Sequence, residues 1–342
     1  MYATATGLKL MEFNMGSGVG GAENSAFCRT LLRHPLLAAF AREQRLHYAD
    51  TTREELGLIL AETGFGRGSS PMVAVVTWPG HYARVGGLLR SITRSWRGLG
   101  VDAHACHLGQ LKRATGRLWL RGQPVDIVFR IFGLEHLLEP GGRDLMDPLI
   151  AAVASGEAAM FTPLDSQVFG SKTALAMLSD HANRELFSPA ELAAIDRILP
   201  WTRLVRPGPV TLEDGSVVDL LGYAASHPGD LLLKPALMHG GHGIVAGWQP
   251  GLSEQAWRDG LINAMGGPYV IQRRIRPAAE LCPGEDGSLV PWVVTWGVFT
   301  FPSGYGGVFA RAFTEDSQTT VATVGTGLTV GCCLVAQPGP AV

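Results

Sequence analysis

Lysine is the scarce residue here. Of 28 basic residues in 342, only Lys9, Lys112, Lys172 and Lys234 are lysines; the rest are arginines. In a chain that so prefers Arg, each position that needs a compact ammonium stands out. Net charge is also lacking: at −2 it gives no electrostatic case for nucleic acid or an anionic membrane as partner. Cysteine is sparse, and Cys28, Cys106, Cys282, Cys332 and Cys333 show neither CxxC spacing nor an even framework. That pattern predicts a reduced protein with cysteines as small core residues. No basic patch followed by an apolar stretch opens the sequence, so a cytoplasmic protein is expected. The charge-free run from 287 to 310 contains Pro291, Pro302 and four glycines between 297 and 307. It predicts a buried β-hairpin around "FPSGYGG", not a membrane helix.

What is present is ordinary globular material, 46% hydrophobic and 17% charged, long enough for two or three units around real cores. "ENSAFCRTLLRHPLLAAFAREQRL" has helical apolar spacing broken at Pro35, "TTREELGLILAETG" reads as a short helix ending at Gly64, and "GFGRGSS" as a linker. "MVAVVTW", "VDAHACH" and "VDIVFRIF" read as strands, with a helix over 82–100. Strand, helix, strand over 72–132 predicts a parallel α/β unit. "PLIAAVASGE", "AAMFTPL" and "SKTALAMLSD" continue the alternation. Ser188, Pro189 and Glu191 form a capping box with proline at N1. Beyond 230 the chain turns strand-rich, in "LLLKPA", "GIVAGW", "YVIQRRI", "WVVTWGVFTF", "GVFARAF" and "TTVATV". The fold class read from this order is mixed α/β (α+β).

Four stretches carry possible chemistry. In "GLKLMEFNMGSGVGG" a strand ends in a glycine run. A period of two places Leu8, Leu10, Glu12 and Asn14 on one face. Two hard oxygen donors at a strand end suit Mg²⁺, which takes one or two carboxylates and completes its octahedron with phosphate and water. A solvated edge strand satisfies the same residues. Gly16-x-Gly18-x-x-Gly21 also matches a dinucleotide fingerprint, but a first strand carrying Glu12 and Asn14, and a helix where the acidic second strand should come, count against it.

In "DLLLKPALMHGGHGIVAGW", Lys234 ends a strand, and Gly240, Gly241 and Gly243 would free backbone N–H groups to face phosphate oxygens. No GK[ST] precedes a helix, so this is not a P-loop. A glycine hairpin with a solvated lysine fits equally. His239 and His242 have no third ligand at useful spacing and read as loop polar groups. Lys172 follows Ser171 at a helix start, against the macrodipole, a position eased by a facing phosphate. A solvent-facing lysine is the alternative there. In "YVIQRRIRPAAE", Ile271 and Gln272 could present polar groups to an adenine edge and Glu280 could accept from ribose hydroxyls. Arg311 closes the strand "GGVFARAF", where a guanidinium could grip a transferring phosphoryl group. Arg130 ends "VDIVFRIF" and is a candidate for a substrate carboxylate, or else a surface arginine snorkelling off a strand end.

The order of these parts resembles the ATP-grasp carboxylate–amine ligases in their circularly permuted arrangement, akin to glutathionylspermidine synthetase and natural-product peptide ligases. "LMEFNMGSGVGG", "SKTALAMLSD", "LLLKPALMHGGHGIVAGW", "YVIQRRI" and "GVFARAF" carry it, with the metal-binding E-x-N strand first instead of last. The resemblance implies an ATP-grasp-like α/β fold in three parts. Residues 1–70 would supply the permuted metal-binding strand with helices, 71–160 a parallel substrate-side unit, and 161–342 the nucleotide-binding region. It implies ATP and Mg²⁺: Lys172 and Lys234 on the phosphates, His239, Gly240, Gly241 and Gly243 covering them, Ile271 and Gln272 at adenine, and Glu280 at ribose. Glu12 and Asn14 would hold Mg²⁺, and Arg311 with Lys234 would serve catalysis. The implied reaction joins a small carboxylic acid to an amine, an amino acid or peptide, through an acyl phosphate, as in natural-product biosynthesis. No nucleic acid or membrane takes part. One departure is that the family's further metal-binding acid, on a strand before the E-x-N strand, has no counterpart. "MYATATG" looks like the second half of a hairpin, and an unpaired sheet edge is expected beside 8–14. Two other readings remain: a nucleotide-binding subunit without turnover, and, third, an NAD-dependent oxidoreductase.

Overall fold

The computed structural model describes residues 1–15, 24–66, 68–238, 240–284, 286–314 and 328–336. The segments 16–21, with the glycine fingerprint, and 319–324, with "TTVATV", lie outside these, as does His239. The chain divides into two compact units. One comprises Met1–Asn14, Gly170–Gly297 and Ala310–Gly331; the other comprises Met15–Phe169, Val298–Phe309 and Cys332–Val342.

The second unit is built on a four-stranded parallel sheet, ordered Ala159–Phe161, Ile127–Ile131, Met72–Thr77, Asp102–His107. Met72–Thr77 is buried at every position, as a strand covered on both faces must be. On one face Val73, Val75, Ala103 and Ala105 pack with Leu56 and Ile59 of helix Thr51–Glu62 and with Leu89, Ile92 and Trp96 of helix Pro79–Gly98. On the other, Ala74, Val76 and Val128 meet Met146, Leu149 and Ala152 of helix Gly142–Ala154. A small meander, Leu111–Ala114, Arg117–Leu120 and Gln123–Pro124, closes that face through Leu111, Leu118 and Leu120. This meander was not expected from the sequence. Its signal is the repeated residue–glycine pair at the two turns, Thr115-Gly116 and Arg121-Gly122, all four at positive φ.

The first unit holds an antiparallel sheet ordered Thr202–Leu204, Tyr269–Arg273, Leu231–Pro235, Val245–Ala246. Leu231, Leu233 and Ile271 turn one way, onto Trp257 and Leu261 of helix Glu254–Met265. That helix, capped by Ser253, was also absent from the sequence reading. The capping box at Ser188 forms as expected: Ser188 Oγ accepts from Glu191 N–H, and Glu191 accepts from Ser188 N–H at 2.8 Å.

A further antiparallel sheet is ordered Gly7–Lys9, Tyr2–Thr4, Leu289–Phe301, Gly304–Thr314, Thr329–Cys332, with Glu280–Pro283 also on Leu289–Phe301. The hairpin turns at Pro302-Ser303 as expected, but its arms are half-buried: in Leu289–Phe301 only Val293, Val294 and Thr295 are buried. Gly7–Lys9 is the sheet edge, as expected beside residue 8. Two other parts of the N-terminal expectation need correction. Tyr2–Thr4 is the first arm of a hairpin whose second arm is Gly7–Lys9, not the second half of one. The strand also stops at Lys9, so Glu12 and Asn14 lie on irregular chain and not on a pleat. Leu10 explains the exit. Its N–H donates to Ile198 O at 2.7 Å, and its side chain is buried with Leu175 and Leu199.

No helix among the described residues is long and apolar enough to cross a membrane. None of the five cysteines is in a disulfide; Cys28 and Cys106 are buried and the other three half-buried.

Trp257 anchors the first unit's core, its indole N–H donating to Ala224 O at 2.9 Å. Trp257→Ala is expected to cost about 3–5 kcal/mol, and Ser188→Ala about 1 kcal/mol. Both are read as shifts of the urea midpoint at constant slope.

Candidate functional site

The antiparallel sheet sorts its residues by parity. Leu231, Leu233 and Ile271 are spent on the core, so Lys234 and Gln272 emerge on the opposite face. Lys234 Nζ donates to Gln272 Oε1 at 2.7 Å and to Met11 O at 3.0 Å. Gln272 Nε2 in turn donates to Thr202 Oγ1 at 3.0 Å, one strand further across. Lys234, Gln272 and Thr202 are all buried. Burial pulls the Lys234 ammonium down from 10.5 to about 8, with Lys172 pushing the same way and Glu12 opposing.

Lys172 arrives from the segment just before helix Thr173–Ser179, one residue earlier than a first helical position. Its N–H donates to Ala236 O at 2.9 Å, which ties it to the end of the Lys234 strand. Its Nζ donates to Met238 O at 2.7 Å and lies 3.4 Å from Glu12 Oε2. The ammonium is 4% exposed and the carboxylate 34%. Glu12 is held there because Leu10 is buried and Met11 O is bonded to Lys234. The irregular segment after Lys9 thus brings its acid to both lysines.

Arg311 belongs to the same unit, on Gly304–Thr314. Its Nε is buried and has no hydrogen-bond partner among the described residues. The Met1 amine, which donates to Trp296 O at 2.7 Å, is lowered to about 6. Burial does most of this; Arg311 and Lys234 lower it further and Glu12 raises it. One atom therefore senses all three side chains. Two buried ammoniums beside one carboxylate, with the Arg311 guanidinium acting on the same Met1 amine, leave positive charge uncompensated, and such a site is complementary to an anion.

Gly240, Gly241 and Gly243 follow Met238 with φ of +66°, +78° and +71°. At Gly243 a Cβ would stand 2.7 Å from Pro235 Cγ, so glycine lets this loop fold back against the Lys234 strand.

Other expected site residues fall elsewhere. Ile271 is fully buried in the core, and Tyr269–Arg273 is paired on both sides, so its backbone is spent on the ladder. With the Gln272 amide bonded to Lys234 and Thr202, neither residue is free to meet an adenine edge. Gln272 instead orients Lys234. Glu280 stands opposite Trp292 on the sheet with Leu289–Phe301. Arg130 lies in the other unit, fully buried. It donates to Thr162 O at 2.7 Å, to Pro163 O at 3.2 Å and to Phe132 O. Burial lowers its guanidinium to about 10. It clamps backbone carbonyls, which corrects its reading as a substrate anchor.

The sequence reading missed Thr202 and the carbonyls of Met11 and Met238. Backbone acceptors carry no residue signal, and Thr202 becomes visible only through its register with Gln272. Among the described residues no group of three or more His, Cys, Asp or Glu is placed to hold a metal ion. One half-exposed carboxylate, Glu12, with exposed Asn14 two residues on, fits Mg²⁺ in kind, since that ion relies on phosphate and water for most ligands.

No family model and no curated protein matches the chain. Among solved structures, the apo form of a glutathione synthetase-like effector from Globodera pallida matches at TM-score 0.53 and 12% identity. The match covers 97% of this chain and 70% of that one. The D-cycloserine synthetase DcsG (16% identity, 72% and 76% of the two chains) reaches only TM-score 0.34. The macrocyclase MdnC bound with precursor peptide MdnA, from Microcystis aeruginosa MRC (12%, 72% and 88%), reaches 0.35. The first match supports an ATP-grasp-like fold; at such identity it speaks to fold alone.

Lys234 binds its proton more weakly folded than unfolded. Between pH 8 and 10.5 the unfolded chain therefore holds more protons, and stability from this group rises with pH. Relative to Lys234→Met, the unfolding free energy should gain about 3 kcal/mol across that window, measured by urea titration at each pH. Gly243→Ala should lower Tm more than Gly251→Ala. Both have positive φ, but only the former adds a clash with Pro235.

Proposed function

We propose that the chain is an ATP-dependent carboxylate–amine ligase of circularly permuted ATP-grasp type, working through an acyl phosphate in the cytoplasm. Parts 1–70, 71–160 and 161–342 would supply the metal-binding strand, the substrate-side unit and the nucleotide-binding region. The observation that carries this reading is the meeting of Glu12, Lys172 and Lys234, at 3.4 Å and through Met11 O, from three distant stretches of one unit.

On this reading Lys172 and Lys234 hold phosphate oxygens of ATP, with Gln272 aiming Lys234. The loop at Gly240, Gly241 and Gly243 closes over them with its N–H groups. Glu12 and Asn14 would hold Mg²⁺, which would supply neutralisation of phosphate charge. The 3.4 Å Glu12–Lys172 contact would be given up where Glu12 held the ion, which would leave the Lys172 ammonium to a phosphate oxygen. Arg311, with a donor unused, stabilises charge on the transferring phosphoryl group and on the oxyanion formed as the amine attacks. A small carboxylic acid and an amine, an amino acid or peptide, are the substrates by analogy with natural-product peptide ligation. Because Glu12 is the one carboxylate ion-paired to either lysine among the described residues, a nucleotide-binding module without turnover is the second reading.

ADP release should require both an acid and an amine, and Lys234→Ala should lower it by about 10²–10³-fold with far-UV circular dichroism unchanged. Undiminished turnover in that variant overturns the assignment. Calorimetric ATP binding without ADP formation, across a panel of acids and amines, favours the second reading.

A further inference from the structure

The unit with the parallel sheet contains a cavity of about 230 Å³ lined by Arg90, Arg94, Arg97, Arg121, His104 and Tyr82. Arg90, Arg94 and Arg97 are spaced four and three apart on helix Pro79–Gly98, so they share one face. Arg121 comes from the turn between Arg117–Leu120 and Gln123–Pro124, in the meander covering the sheet's other face. His104 lies on Asp102–His107, the edge strand between them. Cationic groups thus converge on one sheet edge from both sides.

The four arginines converge without an ion-pair partner of their own among the described residues. Arg113, Arg184 and Arg273 each pair with a carboxylate at 2.5–2.8 Å. None of the four cavity arginines has a carboxylate within 4.0 Å among the described residues. The nearest acid along the edge strand, Asp102, lies 2.7 Å from His104 Nε2 and is spent there. Arginines can also guard a sheet edge against pairing. Here that task falls to Arg97, which donates to Ala103 O at 2.6 Å, and to Tyr82, whose hydroxyl donates to Ala105 O at 3.5 Å. Among the described residues, the side chains of Arg90, Arg94 and Arg121 meet neither a carboxylate nor a backbone carbonyl within bonding distance. Arg121 also sits at φ +50°, in a turn position that favours Asn, Asp or Gly. Thr115 takes the same conformation one turn earlier, so what sets Arg121 apart is charge at the cavity wall.

We propose that this cavity binds a small polyvalent oxyanion of the phosphate class, at a site separate from Lys172 and Lys234. Planar guanidinium forks match phosphate oxygens two at a time, and several on one ligand favour more than a single charge. The volume is below the roughly 300–1,000 Å³ of pockets for drug-sized ligands, which limits the occupant to one or two phosphoryl groups with water. The inference stands whether or not the chain is a ligase, because it uses none of the residues assigned to ATP.

Inorganic pyrophosphate is the probe, titrated calorimetrically at low salt and without divalent metal. Binding is expected in the wild type, weakened at least about tenfold in Arg94→Gln/Arg121→Gln and weaker at higher salt. All four arginines are exposed, so these substitutions should leave Tm nearly unchanged. Lys234→Ala should retain the binding within about twofold, which separates this site from the proposed nucleotide site. No binding to the wild type, equal binding in the double variant, or loss in Lys234→Ala alone overturns the proposal. Tighter binding of citrate than of pyrophosphate overturns the phosphate assignment.

Discussion

A buried ammonium sets the terms for much of the first unit. An amine with 4% exposure must be surrounded by acceptors or lose its charge. Lys234 obtains them from three directions: an amide on the adjacent strand, a carbonyl from the irregular N-terminal segment, and the field of Glu12. Each supplier is then constrained. Gln272 must keep its oxygen toward the lysine, so its nitrogen needs Thr202; Met11 must leave the sheet, so Leu10 must find Ile198. The proton is held loosely, and an arriving anion would tighten it. The same arrangement that strains the free protein is therefore poised to favour an occupied one.

Much of this was legible in the residues because chemistry and periodicity coincided. The parallel sheet follows from an unbroken apolar run at 72–77 and the alternation around it. The two site lysines stood out by rarity, in a chain that otherwise chose arginine. What failed to show was whatever depended on a partner distant in sequence. Gln272 looked like a ligand contact because a polar residue on an apolar strand suggests one, yet its partner was Lys234. Arg130 looked like an anchor for the same reason, and its partners are carbonyls, which every residue carries. The strand at Glu12 looked five residues longer than it is, because alternation runs on to Asn14 after the ladder has ended at Lys9.

The helix Glu254–Met265 and the meander at 111–124 were missed for another reason. The helix has ordinary amphipathic spacing and a serine cap, but it lies between strands that drew the eye. The meander has short arms with few apolar residues, and its two glycine turns were the better signal. Arginine abundance had a similar cost: with so many, four at one cavity are invisible until helix spacing and sheet order bring them together.

The N-terminal hairpin is stitched to what comes long after it. The Met1 amine donates to Trp296 O, 295 positions on, and Lys9 Nζ and the Leu10 N–H donate to carbonyls at the end of helix Pro189–Ile198. During synthesis the segment near residue 10 therefore stays bonded to water until its partners at 197–198 have been made. Contacts of such long range are slow to form. The lysine pair accordingly lacks its Gln272 and Thr202 support until the strand Tyr269–Arg273 has been made.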